Sequence, residues 1–423
     1  AKCLYQNLLT TSPDDTHIQS RLADIARFLA PKPPPKVAQT EPPASISVPA
    51  LSNLQEMIDQ AQDGGTLELA QGVFKLSESL VIKKSIRLKG AGPNHTLIIS
   101  RAAKNAIVVE NTAKLTASGI GIENEGIKGV NILVVKNGSV NLDNCAFKKA
   151  AFDATTKTGG SGIVFEGSSG GGVLNSRFSE NYVAIKITAA AQPRLHKNEL
   201  WNNYTGVEIS GEARPLLTEN RIRANGNNGV MVLGNAQPSL EGNKIQENKA
   251  NGIFYDTQNY SGKVQKNQVV RNEEFGILLA GASQPIMENN EIKLNNAGGI
   301  LYKDKSHGII RNSEVQGNKF WGIRILNNAK PTVQGNTIKG NTGDGVEVLD
   351  KAQPTIEGNH ITQNGGDGIS LLITKDGGHL RNNTCRGNQG YGISILKNAR
   401  PTLVNNITGG NHEGNIYEEV AAN

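Results

Sequence analysis

The sequence predicts an all-β solenoid, a right-handed parallel β-helix built from coils of about 23 residues. Three observations predict it. Asparagine returns at Asn181, Asn203, Asn225, Asn248, Asn272, Asn295, Asn318, Asn341, Asn364, Asn388 and Asn411, always after 22 to 24 residues. A glycine column keeps step with it at Gly162, Gly206, Gly229, Gly252, Gly276, Gly299, Gly322, Gly345, Gly368 and Gly392, with Ala184 in one slot. One and three residues after each glycine stand apolar side chains such as Ile323 and Ile325 or Val346 and Val348. A fixed period in this range means stacked supersecondary units, each unable to bury its apolar face alone.

The rest of the coil follows the same beat. A proline often stands nine residues after the glycine, as at Pro193, Pro215, Pro238, Pro285, Pro331, Pro354 and Pro401. A second asparagine column runs through Asn198, Asn220, Asn243, Asn267, Asn290, Asn336, Asn359, Asn383 and Asn406, and Ile222, Ile245, Ile292, Ile338 or Ile361 follows it. Apolar residues at i and i+2 mark short half-buried strands. Three of them fit into one period only with tight turns, and glycine and asparagine tolerate the positive φ that such turns use. Identical asparagines on successive coils can pass amide hydrogen bonds up a ladder. A leucine-rich repeat, the rival at this period, would need an L-x-x-L-x-L-x-x-N core and a helical return; here β-branched residues dominate and no return has a helical period.

Residues 1–30 carry a helical pattern. Leu4, Leu8 and Leu9 form one apolar stripe, and Ile18, Leu22, Ile25 and Leu29 form another, with Asp14 and Asp15 available as caps. The spacing of Ala1, Tyr5 and Pro13 resembles the second helix of a tetratricopeptide repeat. That resemblance implies a longer helical array upstream; a simple amphipathic hairpin is the alternative. Residues 31–49 contain seven prolines and read as a semi-rigid polyproline spacer. The solenoid is expected over residues 50–423. It opens with a short helix capped by Asn53, then the strand residues Leu67, Leu69, Phe74, Leu80, Ile82, Ile86, Leu88 and Ile98. This opening resembles the N-terminal cap and first coils of the pectate-lyase-like superfamily. The coils from about 101 to 160 are irregular, and Thr155–Gly160 is expected to protrude as a loop.

Composition suits a turn-rich aliphatic stack, with 48 glycines and only 4% aromatic residues. The 44 basic and 38 acidic residues nearly cancel, and no Lys/Arg stripe speaks for nucleic acid. No apolar run reaches the roughly 18 residues of a membrane span. Of the 3 cysteines, Cys145 and Cys385 fall in inward slots too many coils apart to bridge. No two histidines have metal-ligand spacing.

The repeats look like those of the carbohydrate-binding and sugar-hydrolase right-handed β-helices. The resemblance implies a fold shared by polysaccharide lyases, mannuronan epimerases, periplasmic accessory proteins and non-enzymatic scaffolds. It implies a periplasmic, secreted or surface-associated setting, and it does not choose an activity, because the repeated residues are structural. The D-P-H-D motif of the epimerases is absent.

Two sets of outward residues are candidates for function. Asp344 and Asp367 precede Gly345 and Gly368 on adjacent coils, Glu347 and Arg324 stand two residues after their glycines, and Trp321 and Tyr391 flank the aspartates in the same column. Stacked carboxylates beside aromatic rings suit a sugar subsite. Ordinary turn chemistry on exposed coil edges and a surface ion pair explain the same residues. The second set is apolar. Tyr182, Tyr204, Met231, Phe254, Phe275, Leu278 and Phe320 lie around the glycine column, and Leu233, Leu326, Leu349, Leu372 and Leu396 form a column further along the strand. Such a strip marks a partner surface or lies beneath an intramolecular cover. Tyr255 and Tyr302 take inward slots in coils where Gly262 and Gly308 stand near the usual proline position, and are read as core filling. The expected function is a non-catalytic scaffold that recognises a protein or glycan along one sheet, because no complete catalytic set emerges. The alternative is a polysaccharide lyase or hydrolase using Asp344, Asp367 and Glu347. Calcium is a cofactor only under that alternative.

Overall fold

The computed structural model describes residues 45–50, 52–373, 376–396 and 399–419. The helical hairpin over residues 1–30 and most of the proline-rich segment lie outside them. What is described is a parallel solenoid of three long sheets holding 16, 14 and 15 strands, called here the first, second and third. The chain visits them in rotation. One regular coil runs through Trp321–Ile325 in the third sheet, Thr332–Gln334 in the first and Thr337–Lys339 in the second. It returns to the third sheet at Val346–Asp350, one coil up and directly in register.

The core is one continuous aliphatic column. Ile323, Ile325, Val333 and Ile338 are fully buried, as are their counterparts on the neighbouring coils. Tyr255, Tyr302, Cys145 and Cys385 are buried in it too, and burial pushes the Cys145 thiol up to about 11. Gly262 has φ +80°, and a Cβ there would meet the Pro238 carbonyl oxygen at 2.0 Å. No side chain fits at that turn, so core volume has to come from elsewhere, and the two inward tyrosines supply it.

Both asparagine columns are ladders at the corners. In the corner between the second and third sheets, Asn295 Nδ2 donates to Asn318 Oδ1 at 3.0 Å and to the Val269 carbonyl at 3.1 Å. Its own Oδ1 accepts both the backbone N–H and the side-chain amide of Asn272, each at 3.0 Å. The pattern repeats from Asn181 to Asn411. The ladder between the first and second sheets is the same, except that Ser313 replaces one rung.

Three details differ from the sequence reading. Ser45–Val48 pairs with Thr66–Leu69 and buries Val48, so the solenoid begins inside the segment assigned to the spacer. The alternating Ser-Ile-Ser-Val is itself a half-buried strand pattern. The left-handed residues of the corners are not the ladder asparagines but the residues just before them: Glu180, Asn202, Ala224, Glu247, Arg271, Leu294 and Gln363 all have φ between 47° and 60°. The asparagine supplies hydrogen bonds while its predecessor carries the strain. The loop over 155–160 is part of a small antiparallel hairpin joining Phe152–Asp153 to Thr158–Gly159.

The N-terminal end is closed by the helix Leu54–Gln60. Asn53 caps it through N–H groups of Gln55 and Glu56, and Leu54 and Ile58 plug the core. At the other end the third sheet finishes with Gly414–Glu418.

Candidate functional site

The outward residues of the first and second sheets are mostly polar and pair in charged couples along the axis. Lys197–Glu219, Arg223–Glu199, Lys266–Glu241, Lys293–Glu314 and Arg381–Glu357 are examples. The third sheet is different. One outward column runs Phe254, Leu278, Leu301, Arg324, Glu347, Ser370, Ser394 and Tyr417 on successive coils. A second runs Leu349, Leu372 and Leu396. Leu233 does not continue it, because Asp256 and Ala280 follow Leu233 in register. A third column holds Phe275, Gly298 and Trp321. Gly298 makes room there, since a Cβ would sit 2.8 Å from the Phe275 ring.

These apolar side chains are half-buried against one another, while Phe320 stands 48% exposed at the corner with its ring 5.5 Å from Trp321. The Arg324 guanidinium lies over the Trp321 ring at 3.8 Å, and its Nε is 2.6 Å from Glu347 Oε2. Stacking and pairing together hold Arg324 in one orientation. Burial raises the Glu347 carboxyl above its usual value against the opposing pull of Arg324. Tyr391 stacks on Tyr417 at 5.1 Å.

The aspartates are not free on exposed coil edges. Asp344 and Asp367 are half-buried, and each carboxylate caps the coil above it. Asp344 Oδ1 accepts the Asp367 N–H at 2.7 Å, and Asp367 Oδ1 accepts the Tyr391 N–H at 2.6 Å. Asp367 Oδ2 also accepts the Ser394 hydroxyl. A Cβ at Gly366 or Gly390 would come within 2.2 Å of these capping oxygens, so the glycines before Asp367 and Tyr391 are what let the carboxylates tuck in. That glycine was the available sequence signal for capping. Burial pushes the Asp344 carboxyl up to about 6, with repulsion from Asp367 and Glu347 adding to it and the Asp367 N–H opposing it. Thus Trp321, Arg324, Glu347 and the two aspartates share one patch. Phe254 and Phe275 lie two to three coils below it, and Leu349 and Leu372 run along its far side. Ser370 and Ser394, which the sequence reading passed over, complete the polar end and bond each other at 3.2 Å.

Among the described residues, no group of three or more His, Cys, Asp or Glu side chains is placed to hold a metal ion. No helix among them is long and apolar enough to cross a membrane.

Residues 105–269, 204–306 and 275–419 match the family described as right handed beta helix region. The chain belongs to that family. This right-handed β-helix protein matches no curated protein sequence significantly. Among solved structures it resembles the periplasmic alginate epimerase AlgG, with 13% identity, TM-score 0.46, and coverage of 89% of this chain and 86% of that one. The catalytic domain of a GH87 α-1,3-glucanase matches at 11% identity and TM-score 0.49, over 79% of this chain and 66% of that one. The A-module of the Azotobacter vinelandii mannuronan C-5 epimerase AlgE6 matches at 14% identity and TM-score 0.36, over 87% and 94%.

Proposed function

We propose that the outer face of the third sheet binds a glycan and that the protein is a non-catalytic β-helix scaffold. One observation carries the reading. On this face the aromatic and aliphatic side chains are presented outward, while the three carboxylates that chemistry would need are engaged in capping and ion pairing. Hydrolysis needs one carboxylic acid and one free carboxylate across the scissile bond. Asp367 has both oxygens committed, and Glu347 neutralises Arg324. Trp321, Phe320 and Tyr391 offer ring surface beside hydrogen-bonding groups, the combination that suits a sugar ring with one apolar face and a polar rim. A scaffold of this kind belongs at the cell surface, in the periplasm or outside the cell. A helical hairpin over residues 1–30 would tether it to an assembly.

A polysaccharide-active enzyme is the second reading, favoured by one specific feature. Asp344, with a carboxyl pushed up to about 6, sits beside two other carboxylates, as a general acid would.

The two are separated by incubating purified protein with neutral and acidic polysaccharides, with and without calcium. Binding is followed by calorimetry, and turnover by new reducing ends and unsaturated-uronate absorbance. The scaffold reading expects saturable binding without turnover. Turnover that disappears in Asp344→Asn would replace it with the enzyme.

A further inference from the structure

A second aromatic platform stands at the same corner of the solenoid, several coils nearer the N-terminus. Phe152, from the small hairpin, stacks on Tyr182 with centroids 4.4 Å apart and planes 15° from parallel. Tyr182 stacks on Tyr204 at 4.8 Å and 6°. Tyr204 is 46% exposed, close to the 48% of Phe320 at the other platform. Both follow a ladder asparagine, Asn203 and Asn318, and these are five rungs apart. At about 4.8 Å per coil the platforms are roughly 24 Å apart along one edge of the third sheet.

What lies between them identifies the occupant. Asn251 Nδ2 donates to Asn228 Oδ1 at 3.1 Å and to Glu274 Oε2 at 2.8 Å, so amides and a carboxylate line the edge where aromatic rings are missing. A protein partner would be met best by a continuous apolar strip. Rings at both ends of a polar floor, on a repeat close to the length of one sugar unit in an extended chain, suit a linear polysaccharide.

We infer that Tyr204 with Tyr182 and Phe152 forms a second glycan subsite, and that one extended polysaccharide chain occupies it together with the Trp321 site. This rests on the glycan reading above. Two subsites on one chain act through effective concentration, so a ligand long enough to reach both gains avidity that a short one lacks.

The test uses laminari-, chito- and mannuronate oligosaccharides, each as a disaccharide and a decasaccharide, titrated into the native protein, Tyr204→Ala and Trp321→Ala. The expected result is a decasaccharide of one series that binds at least about tenfold tighter than its disaccharide. Tyr204→Ala should remove that gain while leaving disaccharide binding at the Trp321 site unchanged. Circular dichroism and thermal melting confirm that the variant is folded; if it is not, Tyr204→Ser is used in its place. A decasaccharide that binds no tighter than the disaccharide, or a gain that survives the Tyr204 change, overturns the second subsite and leaves the Trp321 site standing. Binding of none of the sugars overturns both.

Discussion

The inside of the corner between the second and third sheets and the outside of the third sheet are neighbours along the chain, yet they follow opposite rules. Inside, the same residue recurs on every coil from Asn181 to Asn411, and each amide is satisfied by the rung above, the rung below and a backbone carbonyl. Outside, a few residues away, one column passes from Phe254 through Leu301 to Arg324, Glu347 and Ser370 without repeating. Identity is required where a side chain must bond its own copy. Where the side chain meets solvent or a ligand, the stack constrains only its position. Repetition in this sequence therefore reports structure, and departure from repetition on a uniformly built face reports specificity.

The largest expected effect is on the inside. Asn295→Ala removes a rung and leaves the Asn272 N–H and amide, the Val269 carbonyl and Asn318 Oδ1 without their partner. At about 1–3 kcal/mol for each buried group left unpaired, with partial relaxation, the loss should reach about 3 kcal/mol or more in denaturant unfolding. A loss of a few tenths would mean that the ladder is decorative. On the outside the sign moves from stability to binding. Trp321→Ala combined with Leu349→Ala should leave the melting temperature nearly unchanged and weaken glycan binding by about 2 kcal/mol.

Asp344 lies at the boundary and sharpens the comparison through pH. Its carboxyl titrates near 6 in the folded chain, above its ordinary 3.8. The folded state thus holds a proton that the unfolded state has already lost, and stability falls as pH rises between these two values. Asp344→Asn keeps an oxygen for the Asp367 N–H and carries no charge. It should be more stable than the native protein by about 1–2 kcal/mol above pH 6, with the gain fading below pH 4. Equal melting temperatures at pH 7.5 would count against a buried, repelled carboxylate. Such a carboxylate, kept at a cost to the fold, is what a functional face would retain.

The smallest effect concerns the strained residue that precedes each rung. Leu294 has φ 57° and is 47% exposed. Leu294→Gly should stabilise by about 1 kcal/mol, since glycine adopts this conformation without a Cβ clash. Destabilisation would show that the exposed side chain contributes packing there.

The coil, its three strands and both ladders were legible because each demands a residue type at a fixed interval. The left-handed positions were not, because a single strained residue per corner is tolerated for Glu180, Ala224 or Arg271 alike and leaves no compositional trace. The patch around Trp321 was legible as a list of outward residues. Its internal wiring was not, because capping by Asp344 and Asp367 depends on Gly366 and Gly390 yielding space on the coil above, and in the sequence those glycines look like any other turn glycine. The Phe152–Tyr182–Tyr204 stack was half visible. Tyr182 and Tyr204 stand in the repeat, whereas Phe152 comes from a hairpin outside it.

The central claim is that ligand recognition belongs to the third sheet and to no other. The most direct test is a calorimetric titration of the bound polysaccharide into the native protein and two double variants. Trp321→Ala with Leu349→Ala alters the third sheet, and Lys293→Ala with Lys339→Ala alters the second. The account predicts an affinity loss of about 30-fold for the first, the equivalent of about 2 kcal/mol, and no more than a twofold change for the second. Equal losses in both, or a loss confined to the lysine pair, would contradict it.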